Sequence, residues 1–147
     1  MEGLYARETP ALGRAVQVGL AGDRVISVSF PETVPADADP DHPLLDRVFA
    51  YLDGAEDHFD DVEVALTVPT ERRAVLEAAR NVPYGETVDV SRLARLAGLD
   101  DDDAEDLDTV RAALRGNPVP LFIPDHRIEG RGATPPPVAE RLRDLEA

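Results

Sequence analysis

The stretch over residues 117–128 reads NPVPLFIPDHRI, and it is the most unusual part of the chain. Its three prolines exclude a regular helix and predict an extended loop. The apolar residues 121–123 lead directly to Asp125, His126 and Arg127. Ionisable side chains beside a buried stretch are expected to pair with neighbours, because an unpaired charge is costly in an apolar environment. This loop is therefore the candidate functional site.

Helical patterns lie on both sides of this loop. Apolar spacing and capping residues predict four helices, over residues 70–81, 89–98, 104–115 and 135–146. We expect Thr70 and Asp89 to cap the first two of these helices, and Gly98 to end the second. Two short helices joined at a glycine indicate a unit that is similar to a helix-turn-helix.

The first half of the chain alternates apolar and polar residues in the manner of β-strands. Residues 14–20 and 24–30 flank a turn-forming Ala-Gly-Asp and predict a hairpin, and residues 62–68 predict a further strand. Between them, residues 31–43 are rich in proline and aspartate and predict a loop. Residues 44–53 place apolar side chains on one face and predict a helix.

Together these elements predict an α+β fold with two lobes. The N-terminal lobe is expected over residues 1–68 and a helical lobe over residues 69–147. A chain of 147 residues can bury roughly two-thirds of its unfolded surface, so it can form a substantial core. We find no internal repeat and no low-complexity tail.

The chain is strongly acidic. It carries 30 acidic and 15 basic residues, all of the latter arginine, for a formal charge of −15. This composition is typical of proteins that work in very high salt, where the screening length falls to about 3 Å at ~1 M. We therefore expect a halophilic protein with a solvated acidic surface. The alternative is an acidic surface that matches a basic partner, and the acid excess argues against nucleic acid.

Several classes of function are excluded or disfavoured by what the sequence lacks. The absence of cysteine excludes disulfides, thiolate metal ligands and thiol nucleophiles. No apolar run approaches the ~18 residues of a membrane span, and the N-terminus has no secretory pattern, so we expect a cytoplasmic protein. We also expect it to be a monomer. His42 and His58 fit no metal-binding template, so the sequence predicts no metal site and no cofactor.

The loop that holds Asp125 resembles the active site of a known family. Residues 124–128, Pro-Asp-His-Arg-Ile, stand where the alkylguanine-DNA alkyltransferases have Pro-Cys-His-Arg-Val, and those proteins transfer an alkyl group from guanine to that cysteine. Residues 82–87, Val-Pro-Tyr-Gly-Glu-Thr, look like the start of the family's helix-turn-helix. Residues 115–120 are similar to the stretch before the active site, and residues 138–146 to the final helix.

This resemblance covers most of the chain and implies a fold. Residues 51–54 and Phe59 look like part of the family's ribonuclease-H-like N-terminal lobe. The implied architecture is therefore a small ribonuclease-H-like lobe followed by a helical lobe with a winged-helix-like unit.

The resemblance also assigns the positions of the transfer reaction. Asp125 occupies the acceptor position, and His126, Glu146 and Asn117 occupy the positions of the residues that activate the cysteine. A carboxylate is a far poorer nucleophile toward an alkyl carbon than a thiolate. We therefore expect no transfer reaction, although an Asp125 that forms an ester is conceivable.

Two positions that the family uses on DNA are changed. The family inserts an arginine finger from its recognition helix and rotates a phosphate with a tyrosine on the preceding helix; these positions hold Asp108 and Val90. Flipping a base out of the duplex costs a few kcal/mol of free energy, and neither Asp108 nor Val90 can offset that cost as the family's arginine and tyrosine do. The glycine-bounded tyrosine loop that closes the family's base pocket is also absent, and only residues 130–134 and three prolines lie there.

Five arginines are candidates for contacts with the DNA backbone. They lie on the two short helices and in the acceptor loop, and they are Arg92, Arg95, Arg111, Arg115 and Arg127. Arg127 has the alternative of pairing with an acid. The acidic run at residues 100–108 is read as a solvated helix start, with mimicry of a phosphate backbone as the alternative.

The sequence thus predicts a non-catalytic alkyltransferase-like protein that binds alkylated guanine in double-stranded DNA and flags it for repair. The alternative is a protein that keeps the fold, no longer binds DNA, and uses its acidic face for a protein partner. A third hypothesis is an unrecognised enzyme that uses Asp125 and His126. For these two residues the simpler reading is structural: Asp125 would hold His126 or Arg127, and His126 would bridge Asn117 or Glu146.

Overall fold

A three-stranded antiparallel sheet begins the fold in the computed structural model, which describes residues 2–147. The strands are β1 (Glu2–Thr9), β2 (Arg14–Ala21) and β3 (Arg24–Ser29), in the order β1-β2-β3. The predicted hairpin is confirmed as β2–β3, and Gly22 turns it with a φ of 62°. The sequence did not predict β1, because few of its residues are apolar and only Ala6 and Thr9 among the described side chains are buried.

Five helices follow the sheet. They are α1 (Pro43–Leu52), α2 (Thr70–Arg80), α3 (Val90–Leu96), α4 (Ala104–Arg115) and α5 (Pro136–Glu146). The Asp89 side chain accepts a 2.7 Å hydrogen bond from the Arg92 amide, which confirms Asp89 as the cap of α3. Thr70 was wrongly predicted as a cap: Pro69 holds the cap position of α2, without a side-chain hydrogen bond.

The predicted strand over residues 62–68 is wrong. This segment makes only a single bridge to the sheet, between Val64 and Val25. Arginines of α2 bind its carbonyl groups in place of a neighbouring strand: Arg80 donates to the Val62 carbonyl, and Arg73 donates to the Leu66 carbonyl at 2.9 Å. Side-chain donors from a helix thus satisfy the backbone groups that a strand would have paired.

One hydrophobic core joins the two halves of the chain. Its large, fully buried side chains come from the sheet, the helices and the proline-rich loop, and include Val18, Leu45, Leu76, Leu93, Leu142 and Phe122. The boundary between two lobes near residue 68 stays a prediction. No helix in the described part of the chain is long and apolar enough to cross a membrane.

Backbone and aromatic contacts fix the proline-rich loop to the first half. The Phe122 ring meets the Phe59 ring edge to face with centroids 5.2 Å apart. The Val28 amide donates to the Pro118 carbonyl at 2.9 Å, which attaches the loop to β3. These contacts hold the candidate site against β3 and the segment that follows α1.

We expect Phe122→Ala to destabilise the protein by about 3–5 kcal/mol, since it removes a fully buried aromatic side chain and its partner's contacts. Leu96→Ala is the control, because Leu96 is 55% exposed and should cost less than about 0.5 kcal/mol. Urea denaturation followed by circular dichroism measures both values. Equal costs for the two variants would contradict the proposed core.

Candidate functional site

Asn117 fastens the two ends of the proline-rich loop together. Its Nδ2 donates to the Ile123 carbonyl at 2.9 Å and to Asp125 Oδ2 at 3.1 Å, while its Oδ1 accepts from the Val119 amide at 3.1 Å. All of the side chain's hydrogen bonds are therefore made within the loop. The loop then closes in a single 3-10 turn, Asp125–Arg127.

The Asp125 carboxylate is buried, with only 2% of the residue exposed. Its Oδ2 accepts from Asn117 Nδ2 at 3.1 Å and from the amides of Ala133 and Thr134 at 3.1 and 3.3 Å. Burial raises the pKa of Asp125, and the hydrogen bonds from Thr134 and Asn117 offset only part of that rise. Among the described residues, its Oδ1 has no hydrogen-bond partner.

Glu146 gathers a second buried cluster on the other side of the turn. Its Oε2 accepts from the Tyr51 hydroxyl, from His126 Nε2 at 2.8 Å and from Arg127 Nη2 at 3.0 Å. Its Oε1 accepts from Arg127 Nε at 2.9 Å and from the Gly85 amide at 3.3 Å. This cluster joins α1, the loop before α3, the 3-10 turn and the last residue of α5.

The electrostatics of this cluster favour an ionised Glu146. Burial opposes the charge, but hydrogen bonds from His126 and Arg127 outweigh it and hold the pKa of Glu146 well below its ordinary value. Burial and the charge of Glu146 raise the pKa of Tyr51, so its hydroxyl stays protonated and donates. Because an ionised carboxylate only accepts, the proton of the His126–Glu146 bond lies on Nε2. Within residues 2–147, no partner meets the buried His126 Nδ1.

Two sequence-based readings of the turn are corrected by these contacts. Asp125 does not hold His126 or Arg127, since its hydrogen bonds go to Asn117 and to the amides of Ala133 and Thr134. Arg127, a predicted DNA contact, is only 7% exposed, and its guanidinium binds Glu146 and the Val82 carbonyl. Its alternative, pairing with an acid, is the arrangement found.

The four other candidate arginines lie on the exposed surface of α3 and α4. Two of them are paired with acids: Arg95 with Asp101 at 2.7 Å and Arg111 with Asp108 at 3.4 Å. Arg92 and Arg115 are exposed, and the described residues offer them no ion pair. Asp108 is exposed and Val90 is half-buried on the same two helices.

Sequence reasoning missed Tyr51 and Gly132 as parts of the site. Tyr51 lies on the inward face of α1 and is buried, so its hydroxyl needs a polar partner. The signal in the sequence was a tyrosine within the predicted helix over residues 44–53. A Cβ on Gly132 would lie 2.7 Å from Asp125 Cγ, so the backbone approaches the carboxylate at a distance that only glycine allows. No local sequence pattern marks that approach.

A family model, described as the DNA-binding domain of 6-O-methylguanine DNA methyltransferase, matches residues 70–143. The chain belongs to this family. In sequence it is 37% identical over 86 residues to a methylated-DNA–protein-cysteine methyltransferase of Methanothermobacter thermautotrophicus, covering 58% of this chain and 46% of the relative. It is 32% identical over 87 residues to the Methanopyrus kandleri protein of the same name, covering 59% and 62%. The chain thus matches less than two-thirds of the length of either relative.

Solved structures match nearly the whole chain. The Mycobacterium tuberculosis O6-methylguanine methyltransferase superposes with a TM-score of 0.76 at 22% identity, over 99% of this family member and 93% of that protein. The same enzyme solved in complex with DNA gives a TM-score of 0.73 at 21% identity, over 97% and 89%. The methyltransferase of Pyrococcus kodakaraensis gives 0.69 at 18% identity, over 100% and 99%. These likenesses confirm the α+β fold.

The Glu146 cluster predicts a specific acid sensitivity. The pKa of Glu146 is lowered on folding, so its contribution to stability is present above its unfolded pKa of about 4.3 and is lost as the pH falls toward the folded value. In Glu146→Gln this contribution is absent. We expect Glu146→Gln to lower the free energy of unfolding by about 3–5 kcal/mol near neutral pH, because Arg127 loses its buried partner.

Urea denaturation between neutral pH and the acid range checks this expectation. The difference in unfolding free energy between wild type and Glu146→Gln should shrink as the pH falls below about 4. Glu140→Gln is the control, because Glu140 is exposed on the same helix. A difference that stays constant across this range would contradict an ionised Glu146 in the folded protein.

Proposed function

We propose that this protein binds alkylated guanine in double-stranded DNA without accepting the alkyl group, and so marks the lesion for other repair proteins. The observation that carries the proposal is the buried Asp125 carboxylate, one oxygen of which is held by three N–H donors. In this view the base is held beside Asp125 by noncovalent contacts alone, while His126 and Glu146 stay buried on the other side of the turn.

The absence of transfer follows from the chemistry of the acceptor. The relatives are named for a cysteine that receives the methyl group, and this chain has no cysteine. Three N–H donors occupy Asp125 Oδ2, which reduces the reactivity of that oxygen toward an alkyl carbon. Its partner oxygen, Oδ1, lies against Gly132, so an alkyl carbon has no approach to it in this conformation.

DNA binding is supported by the family and by the surface of the two short helices. The matched DNA-binding model spans α2, α3 and α4, and a related Mycobacterium tuberculosis enzyme has been solved with DNA. Arg92 on α3 and Arg115 on α4 are exposed cations that can bind phosphates, with α4 lying against the minor groove. Such contacts weaken steeply as salt is raised.

A second function is favoured by the acids on the same surface. Arg95 and Arg111 are neutralised by Asp101 and Asp108, and Asp108 stands at the proposed finger position. A face with these pairs repels phosphate more than the family's face does, and it suits a basic protein partner. The fold would then be kept while DNA recognition is lost.

Anisotropy titrations separate the two functions. Duplexes with one O6-methylguanine and matched unmodified duplexes are titrated from low to molar salt, and the first function predicts tighter binding of the modified duplex. Val90→Tyr with Asp108→Arg restores the family's two DNA residues, and it should raise affinity for both duplexes. Negligible and equal binding by wild type, with no gain in the double variant, would contradict the first function and leave the second.

Asp125→Cys tests whether residue 125 is the acceptor position. The His126–Glu146 pair that would activate a thiol is present, so the variant should gain one benzyl group from free O6-benzylguanine, a substrate that needs no base flipping. Intact-protein mass spectrometry measures the gain.

Asp37→Cys is the control, because Asp37 is exposed in the loop before α1 and no described residue pairs with it. Its thiol should react far more slowly. Equal rates for the two cysteines, or no reaction at residue 125 in a folded protein, would contradict the assignment.

A further inference from the structure

The segment over residues 130–134 closes directly on the Asp125 carboxylate. Two consecutive amides, those of Ala133 and Thr134, donate to Asp125 Oδ2 at 3.1 and 3.3 Å. The Ala133 N–H is shared with the Leu114 carbonyl at the end of α4, 2.9 Å away. The segment is thus pinned at one point to both the acceptor loop and the helix that the family model includes.

The fit is too close to leave a space above the carboxylate. A Cβ on Gly132 would lie 2.7 Å from Asp125 Cγ and 3.1 Å from Oδ1, so the backbone at Gly132 lies next to Oδ1. The amides of Ala133 and Thr134 lie next to Oδ2. Asp125 and Thr134 are each only 2% exposed. A base that is to lie beside Asp125 must displace residues 132–134.

We propose that Asp125 acts as a latch that holds residues 132–134 closed over the base site, so that release of this segment limits the affinity for the lesion. This inference rests on the proposed function, because it concerns how a base gains access to the same site. Asp125, which stands in place of the acceptor cysteine, would thereby also control access to the base site.

A polar atom left without a partner fits a latch that can open. In the closed arrangement, Asp125 Oδ1 is buried and has no hydrogen-bond partner within the described residues. This makes the closed state less favourable, because a buried polar atom without a partner loses its hydration. Opening exposes Oδ1 to water or to hydrogen-bond donors of a base.

Only open molecules can bind the base, so the apparent affinity equals the affinity of the open form multiplied by the fraction of molecules that are open. If closed molecules outnumber open ones by roughly a hundred to one, the apparent dissociation constant is raised by about the same factor. Removing the latch abolishes that penalty without adding any contact to the base. Removal of the latch should therefore raise the affinity for the lesion, whereas deletion of a residue that contacts the base should lower it.

Amide hydrogen exchange tests the latch without DNA. In the wild type the amides of Ala133 and Thr134 should be protected, and in Asp125→Ala the Thr134 amide should exchange at least about tenfold faster, while α2 stays protected. Asp37→Ala is the matched control, since it removes the same charge from an exposed loop. Unprotected amides in the wild type, or protection unchanged in Asp125→Ala, would overturn the latch.

Duplex binding tests the gate. Gly132→Ala should bind an O6-methylguanine duplex several-fold more tightly than wild type, because a Cβ at residue 132 would lie 2.7 Å from Asp125 Cγ and push the segment off the carboxyl group while Asp125 stays in place to contact the base. Asp37→Ala should match wild type. If wild type prefers the modified duplex and Gly132→Ala does not improve on it, the gate is overturned while the proposed function stands. If neither protein prefers the modified duplex, the proposed function fails, and the gate with it.

Asp125→Asn covers the case in which the alanine variant does not fold. It keeps the size of the side chain, and its one oxygen can take the place of Oδ2, but a neutral amide is a weaker acceptor than a carboxylate. Its Thr134 exchange rate should therefore lie between those of wild type and a released segment. An asparagine variant whose Thr134 amide exchanges no faster than in wild type would overturn the latch.

Discussion

A buried carboxylate must be surrounded by hydrogen-bond donors, and this requirement governs the site at two neighbouring places. Asp125 Oδ2 accepts from the Asn117 side chain and two backbone amides, and Glu146 accepts from Tyr51, His126, Arg127 and the Gly85 amide. The donors come from α1, the loop before α3, the proline-rich loop and the segment before α5. Those elements are therefore held together by two buried carboxyl groups as well as by the apolar core.

Much of the fold followed from patterns that act over short distances. The helices α1 to α5 and the β2–β3 hairpin were predictable because capping residues, glycines and apolar spacing are local signals. The strand proposed at residues 62–68 failed because its carbonyls are bound by arginines of α2, which no local pattern shows. Strand β1 was missed because a mostly half-exposed edge strand carries little alternation.

The site was predictable in its members but not in its geometry. The motif resemblance brought Asp125, His126, Asn117 and Glu146 together, and the structure arranges them as two separate clusters on either side of one 3-10 turn. The burial of Arg127 and the contact between Gly132 and Asp125 depend on how distant segments pack. Such contacts are decided by the tertiary structure, so sequence alone gave two readings for Arg127 and none for Gly132.

We propose that this family member holds an alkylated base and does not react with it. The most direct measurement is the mass of the intact wild-type protein after incubation with duplex DNA that contains O6-methylguanine, quenched in acid so that an ester would survive. We expect an unchanged protein mass and an unrepaired base in the recovered DNA. A protein heavier by one methyl group, or DNA that has lost its methyl group, would contradict it.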